Sequence, residues 1–408
     1  MTDTNWAGNV RWSARTRHRP TTLDELRRLV ADADRVRAVG TGHSFNRLGD
    51  TTGAQIALDG LPPTVALDPD RGTVTVAAGL RYGDLATALQ AKGYALANLA
   101  SLPHISVAGS VATATHGSGV ANRNLAAAVA ALELVTADGD LRTVDRTDPT
   151  FAGLVVNLGA LGVVTRVTLD VVPTYAVRQY VRLGLPRAAL DEALGAAYSV
   201  SVFTDWRSER FDQVWIKQYA DQAPPPADWL DTVAAETPQH PVPGMSPEHC
   251  TAQFGEPGPW HERLPHFRLG FTPSSGDELQ SEWHVTRADA AAALAALDPV
   301  AERIAAVLQI CELRTVAADE LWLSPNFRRD TLALHFTWVG DPVAVAPVLA
   351  EVEQRLAPFA PRPHWGKLFD RDPAAAYPRH ADFAALLLSY DPTGKFRTDE
   401  MDRYFPRD

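Results

Sequence analysis

Arg37-Ala38-Val39-Gly40-Thr41-Gly42-His43-Ser44-Phe45-Asn46 is the stretch on which the reading of the fold turns. An apolar run ending at Val39 meets two glycines separated by a threonine, then delivers a histidine, a serine and an asparagine. Glycines beside small hydroxyl residues free successive backbone N–H groups to point one way, which makes a concave site for a phosphate. Taken alone, the same residues also fit an ordinary turn with a satisfied histidine. The rest of the chain has to separate the two.

Two further small-residue stretches follow. From Asn98 to Gly119 almost no large side chain occurs after Ile105, and neither a strand nor a helix period persists. Gly, Ala, Ser and Thr in such density let a backbone approach a ligand closely, with hydroxyls and amides free to donate to phosphate oxygens or a heteroaromatic ring. The bland reading is a loop packed tightly between elements, but a structureless loop of roughly 20 residues inside a compact domain usually has a function. Gly159-Ala160-Leu161-Gly162 is the third, between a short helix expected over 151–158 and a β-branched strand over 163–172.

The elements around these turns are readable. Thr22-x-x-Glu25 is a capping-box pattern, and Leu23, Leu26 and Val30 continue at helical spacing towards Asp34. Residues 35–39 read as a strand. Residues 64–67 and 73–76 read as a hairpin closed by Asp68-Pro69-Asp70-Arg71-Gly72, and residues 129–136 and 141–144 as a second hairpin. Between them Tyr82 to Lys92 is helical, with Gly93 as its stop. From about Arg178 the character changes: tryptophans become common, Pro224-Pro225-Pro226 appears, and the small-residue turns cease. Residues 287–308 form an alanine-rich helix broken near Pro299, and residues 312–316 and 331–338 form strands. The expectation is an α+β chain in which a nucleotide-type domain over 1–177 meets a second domain over 178–384.

Composition narrows the function. The 408 residues include 46% hydrophobic ones, enough for a sizeable core, and 38 basic against 49 acidic residues give −11. That balance argues against a nucleic-acid or anionic-membrane surface. Cys250 and Cys311 lie far apart without zinc-type spacing, so neither a disulfide framework nor a metal site is expected. Arg11, Arg15, Arg17 and Arg19 precede no apolar run, and no uncharged stretch approaches the roughly 20 residues of a membrane helix. These features point to a cytoplasmic protein.

A polar floor is expected in the second half. In residues 331–338, Leu332, Leu334 and Phe336 share one face while Ala333, His335 and Thr337 share the other. Glu312 and Arg314 likewise point one way, and His364-Trp365-Gly366-Lys367 adds a further cation. Such a floor suits a substrate with many hydroxyls, since each buried polar group must find a partner. It equally fits a solvated sheet face with ordinary ion pairs, or a sugar-binding module without catalysis.

The motifs resemble a known family. Gly40 to Asn46, the block from Ser101-Leu102-Pro103-His104-Ile105-Ser106 to Thr115-His116-Gly117-Ser118-Gly119, and Gly159 to Thr165 occur in the order seen in vanillyl-alcohol-oxidase-type flavoproteins. Glu312-Leu313-Arg314-Thr315, His335-Phe336-Thr337-Trp338 and His364 to Lys367 resemble the branch of that family that oxidises alditols such as xylitol. The resemblance implies a PCMH-type FAD-binding domain that holds the pyrophosphate with loop amides rather than a G-x-G-x-x-G helix. It also implies a substrate domain with an antiparallel sheet flanked by helices, followed by a return of residues 385–408 onto the FAD half. By the same resemblance, Gly40 to Asn46, Ser106, Gly109, Thr113, Ala114, Thr115, His116, Gly117 and Val163 line FAD. His43 is bonded covalently to the flavin 8α-methyl. Ser101 sits where flavin and substrate meet, Glu312, Arg314, Thr337 and Lys367 hold the polyol, and His335 lies beside them.

The implied activity is hydride transfer from a terminal CH–OH to flavin, with dioxygen reduced to hydrogen peroxide. Arg314 and Lys367 stabilise the alkoxide-like oxygen, His335 accepts the hydroxyl proton, and Glu312 orients Arg314 or a hydroxyl. The expected partners are a polyol and dioxygen, without nucleic acid or membrane, for a monomer. Aldonolactone oxidases and dehydrogenases share the His-Ser loop and the His-Trp-x-Lys end. They remain the alternative, with a flavin-free carbohydrate-binding protein behind them.

Overall fold

The protein is described by a computed structural model covering residues 2–271 and 278–407. The strand Val36–Val39 delivers the glycine turn from a small parallel sheet, in which Ala54–Ala57 lies between it and Thr16–His18. The helix Leu23–Asp32 covers this sheet with Leu26 and Val30. Thr22 Oγ1 accepts the Glu25 N–H at 3.2 Å. The Glu25 carboxylate accepts the Thr21 N–H at 2.8 Å, one residue beyond the usual reciprocal bond.

Both expected hairpins belong to one antiparallel sheet of five strands, in the order Val65–Asp68, Thr73–Ala77, Val163–Asp170, Val129–Val135, Leu141–Asp145. Three local expectations need correction. The helix placed over 151–158 stops at Val155, and Leu158 and Gly159 adopt φ of 53° and 68°, which a right-handed helix does not accept. The strand placed over 163–172 ends at Asp170, and Val172–Pro173 pairs instead with Tyr94–Ala95. The small-residue block contains a six-residue helix, Val107–Ala112, with Val107 and Val111 buried. Tertiary burial of those two valines outweighs the weak local propensity.

The second half is built on a nine-stranded sheet. Its central strands run in the order Ala176–Pro186, Arg210–Tyr219, Ser199–Thr204, Leu308–Val316, Thr331–Val339, Glu278–Thr286. One face packs Leu313, Leu332, Leu334 and Phe336 against the helices Ala290–Leu297, Ala301–Val307 and Pro342–Leu356. The opposite face carries the polar residues, and antiparallel pairing sets Glu312, His335 and Glu282 in one row across three strands.

The halves are more interleaved than the expected division at residue 178, which falls inside the strand Ala176–Pro186. Trp322, Trp365 and Tyr377, all within 178–384, join the core that contains Leu154 and Leu161. The return segment, described to residue 407, adds Leu386, Leu387, Met401 and Phe405 to the same core. Lys395 Nζ donates to the carbonyls of Val30, Ala31 and Ala137, and Lys395 O accepts the Val36 N–H at 2.9 Å. Among the described residues no helix is long and apolar enough to cross a membrane.

Candidate active site

The turn after Val39 is clasped from two sides. Before it in sequence, Trp6 N–H donates to Gly42 O, while the side-chain amides of Asn5 and Asn9 donate to Ser44 O and Phe45 O, each at 2.8 Å. From late in the chain, Gly366 O accepts the Phe45 N–H at 2.8 Å. The Asn46 amide donates to Trp365 O and Lys367 O at 2.7 and 3.0 Å. The His43 ring stacks on Trp6 at 4.8 Å between centroids and 17° between planes, with Nδ1 3.1 Å from Thr41 Oγ1. Burial, helped by nearby His104, pushes its pKa down to about 4, so the imidazole is neutral. Its Nε2 is buried without a hydrogen-bond partner.

The turn and the small-residue helix touch so closely that a Cβ added at Gly40 would collide with Ser106 Oγ. Together they form one wall of a cavity of about 450 Å³. Gly40, Thr41, Gly42, His43, Ser44, Phe45, Ser106, Gly109, Thr113, Thr115 and His116 all reach it, and Ser101 lies at its junction with the opposite wall. Four residues expected here do not line it. Asn46 spends its amide on the backbone of 365–367, and Gly117 backs onto Asn98 and Leu99. Ala114 and Val163 are buried in two separate apolar cores.

The opposite wall is the polar sheet face, where Glu312, Arg314, His335, Thr337 and Lys367 gather as expected. Its centre is a residue the sequence did not single out. Glu282 Oε1 lies 2.5 Å from His116 Nε2 and 3.3 Å from Arg314 Nη2, and Oε2 lies 2.8 Å from Lys367 Nζ. Burial alone would raise the Glu282 pKa, but Lys367, His116 and Arg314 hold it well below the usual carboxylate range. Burial lowers the Lys367 pKa, against the pull of Glu282. Glu312 accepts from His266 Nε2 at 2.7 Å, with Arg314 Nε and His335 Nδ1 each 3.5 Å from its other oxygen. Burial opposes its charge, yet Arg314 and His266 keep it ionised. Two carboxylates therefore interleave with two cations, which makes so much buried charge tolerable.

His335 also meets Gln280 Oε1 at 3.1 Å through Nε2, and burial with Lys367 beside it pushes its pKa down to about 4. Arg314 Nη1 donates to Ser101 Oγ at 3.3 Å, joining the two walls, while Arg314 Nε is buried without a hydrogen-bond partner. His116, Glu282 and His284 bring ligand-type atoms within 4.8 Å. The charge of that carboxylate is already met by Lys367 and Arg314, an arrangement for a salt-bridge network rather than a metal. Glu282 and Gln280 had one sequence signal, the period-two alternation of Gln280-Ser281-Glu282-Trp283-His284. Asn5, Trp6 and Asn9 had none.

A slot between a small-residue wall and a charged floor, with a neutral histidine offering an unpartnered nitrogen, fits a planar redox cofactor with a diphosphate tail. Fold and site together define a flavoprotein of the vanillyl-alcohol-oxidase type. Residues 16–145 match the FAD binding domain family, and residues 277–404 match the D-arabinono-1,4-lactone oxidase family. A cholesterol oxidase structure from B. sterolicum superposes with a TM-score of 0.78 over 99% of this chain and 96% of that one, at 18% identity, a likeness of fold. An alditol oxidase from a Streptomyces sp. is 53% identical over 401 residues, covering 96% of each chain. An L-gulono-1,4-lactone dehydrogenase from Mycobacterium tuberculosis is 29% identical over 97% of each. This chain belongs to the alditol oxidase family, and FAD is its cofactor.

Proposed function

We propose that the protein oxidises the terminal CH–OH of alditols such as xylitol and sorbitol to the aldose, with dioxygen as acceptor. The observation that carries this reading is the Lys367–Glu282–Arg314 cluster, which joins Ser101 and faces the His43 turn across the cavity. The His43 turn and the stretch from Ser106 to Thr115 would hold FAD, which would supply acceptance of hydride from the carbon and reduction of dioxygen to hydrogen peroxide. The remaining work belongs to the protein. An alcohol proton is about as weakly acidic as that of water, so its departure needs stabilisation of the oxygen it leaves. Arg314 and Lys367 supply that positive charge, and Arg314 Nε, 3.5 Å from Glu312 Oε2, makes no hydrogen bond of its own. His335, neutral in the resting protein, takes the proton. Glu312 and Thr337 bind further hydroxyls along the floor.

The assay compares xylitol and sorbitol with L-gulono-1,4-lactone, reading oxygen consumed and peroxide formed. Faster turnover of the lactone would replace this reading with aldonolactone oxidation, which the match over residues 277–404 favours. Turnover with an artificial acceptor and little oxygen uptake would make it a dehydrogenase. We also assign the flavin link to His43. Wild-type protein is expected to keep its yellow colour in the acid precipitate, and His43→Ala to release flavin or to purify without it. Acid-stable flavin in that variant would place the link elsewhere. A cytoplasmic monomer fits the two buried free cysteines and the net charge of −11, and size-exclusion chromatography checks the monomer.

A further inference from the structure

Lys217 lies on the strand Arg210–Tyr219, two strands away from Glu312, and its side chain is 1% exposed. No carboxylate among the described residues forms an ion pair with it. Its Nζ donates instead to the carbonyls of Leu264 and Pro265, and lies 3.1 Å from His266 Nδ1. An ammonium group has three N–H donors, and these three acceptors use them all.

The third contact decides the state of His266. A lysine ammonium can only donate to a ring nitrogen that carries no proton, so the imidazole proton sits on Nε2. That is the atom 2.7 Å from Glu312 Oε1. The opposite tautomer would aim a lone pair at an ionised carboxylate. Phe203 and Trp215 hold the ring edge-to-face at 5.6 and 5.1 Å between centroids, so it has one orientation as well as one tautomer. The His266 backbone N–H donates to Ser101 O at 3.0 Å, which ties the same segment to the junction of the two walls.

We propose that Lys217 and His266 are positioning residues for the reaction: Lys217 fixes the tautomer of His266, and His266 holds Glu312 so that its second oxygen faces the polyol. The inference rests on the reading of Glu312 as a substrate-binding group. Lys217 does not line the cavity and His266 does so beside Glu312, and both act through that carboxylate. Burial pulls the Lys217 pKa down to about 7, with Glu312 and Cys250 opposing and Arg314 adding to the fall. The three acceptors around Nζ match the three donors of the charged form.

The test is a mutant cycle on the flavin-loaded enzyme, with xylitol as substrate. Lys217→Met and Glu312→Gln are made singly and together, beside Lys217→Arg and His266→Phe. Lys217→Met is expected to raise KM about tenfold with a smaller change in kcat, the size of effect of weakening one hydrogen bond to a charged group. Lys217→Arg, which keeps a donor, recovers part of that loss. The double variant is expected to be no worse than Glu312→Gln alone, because the lysine has nothing left to act through. If Lys217→Met does not fold, as the flavin absorbance and melting curve will show, His266→Phe carries the test. It keeps a ring between Phe203 and Trp215 and removes both the Nε2–H that reaches Glu312 and the Nδ1 that accepts from Lys217, and it too should be non-additive with Glu312→Gln. Effects that multiply in the double variants, or wild-type KM in Lys217→Met and His266→Phe while Glu312→Gln raises it, overturn the inference alone. An unchanged KM in Glu312→Gln overturns the assignment of Glu312 itself, and the inference with it.

Discussion

The two walls of the cavity are made in opposite ways. The wall around His43 is local: Gly40 to Phe45 form one turn, Ser106 to Thr115 one short stretch, and most of what they offer is backbone and small hydroxyls. The floor is assembled from side chains on separate strands, with Glu282, Glu312 and His335 meeting only because three strands pair in a given register. A wall of backbone tolerates substitution except where a Cβ collides, as at Gly40. A floor of compensated charges tolerates almost none, because each charge depends on its neighbours. Substitutions on the floor should therefore strike turnover hard, and those around the turn should strike cofactor capture.

The sharpest contrast is expected from Lys367→Met. Turnover should fall about 1000-fold, the upper range for removing one charge-stabilising donor, while absorbance shows normal flavin content. Loss of flavin in that variant would erase the distinction between the walls. Glu282→Gln comes next, because it leaves Lys367 and Arg314 facing each other without their shared anion. We expect kcat/KM about 100-fold lower and unfolding about 3 kcal/mol easier, read by assay and denaturant titration.

The pH profile offers a milder test. His335 is neutral above about 4 and protonated below it, so it loses its capacity to accept a proton as pH falls through that value. The acid limb of kcat/KM should lie near pH 4, dropping about tenfold per unit beneath it. A limb near 6.5 would mean that His335 is more solvated than the sheet face allows. The smallest effect belongs to Trp6→Ala. Removing the ring stacked on His43 should slow covalent incorporation of added FAD about threefold, on the scale of one aromatic contact, leaving kcat of the loaded enzyme unchanged.

This difference between the walls also explains what was legible. The turn and the small-residue block could be read because their chemistry is contiguous in sequence, and so could both hairpins. Glu312, Arg314, His335 and Thr337 could be placed on common faces by alternation, since period two needs only one strand at a time. Glu282 could not be ranked above any other acid, because its importance comes from pairing beside His335 and from Lys367 arriving from another segment. Asn46, Ala114, Gly117 and Val163 fall outside the cavity lining for the reverse reason: neighbourhood in a motif does not say which way a side chain faces. Trp6 and Asn5 lie in a stretch with no periodic pattern, so nothing local announced that they clasp the turn.

The ties of Lys395 and Phe396 set an order of events during synthesis. Arg37, at the base of the His43 turn, donates to Phe396 O across 359 positions of sequence, and Val36 is held by Lys395 O. The first strand of the cofactor wall thus stays incomplete on the ribosome until those late residues emerge. Cells starved of riboflavin should accordingly accumulate a finished, colourless polypeptide that takes up its pigment afterwards, rather than stalled nascent chains.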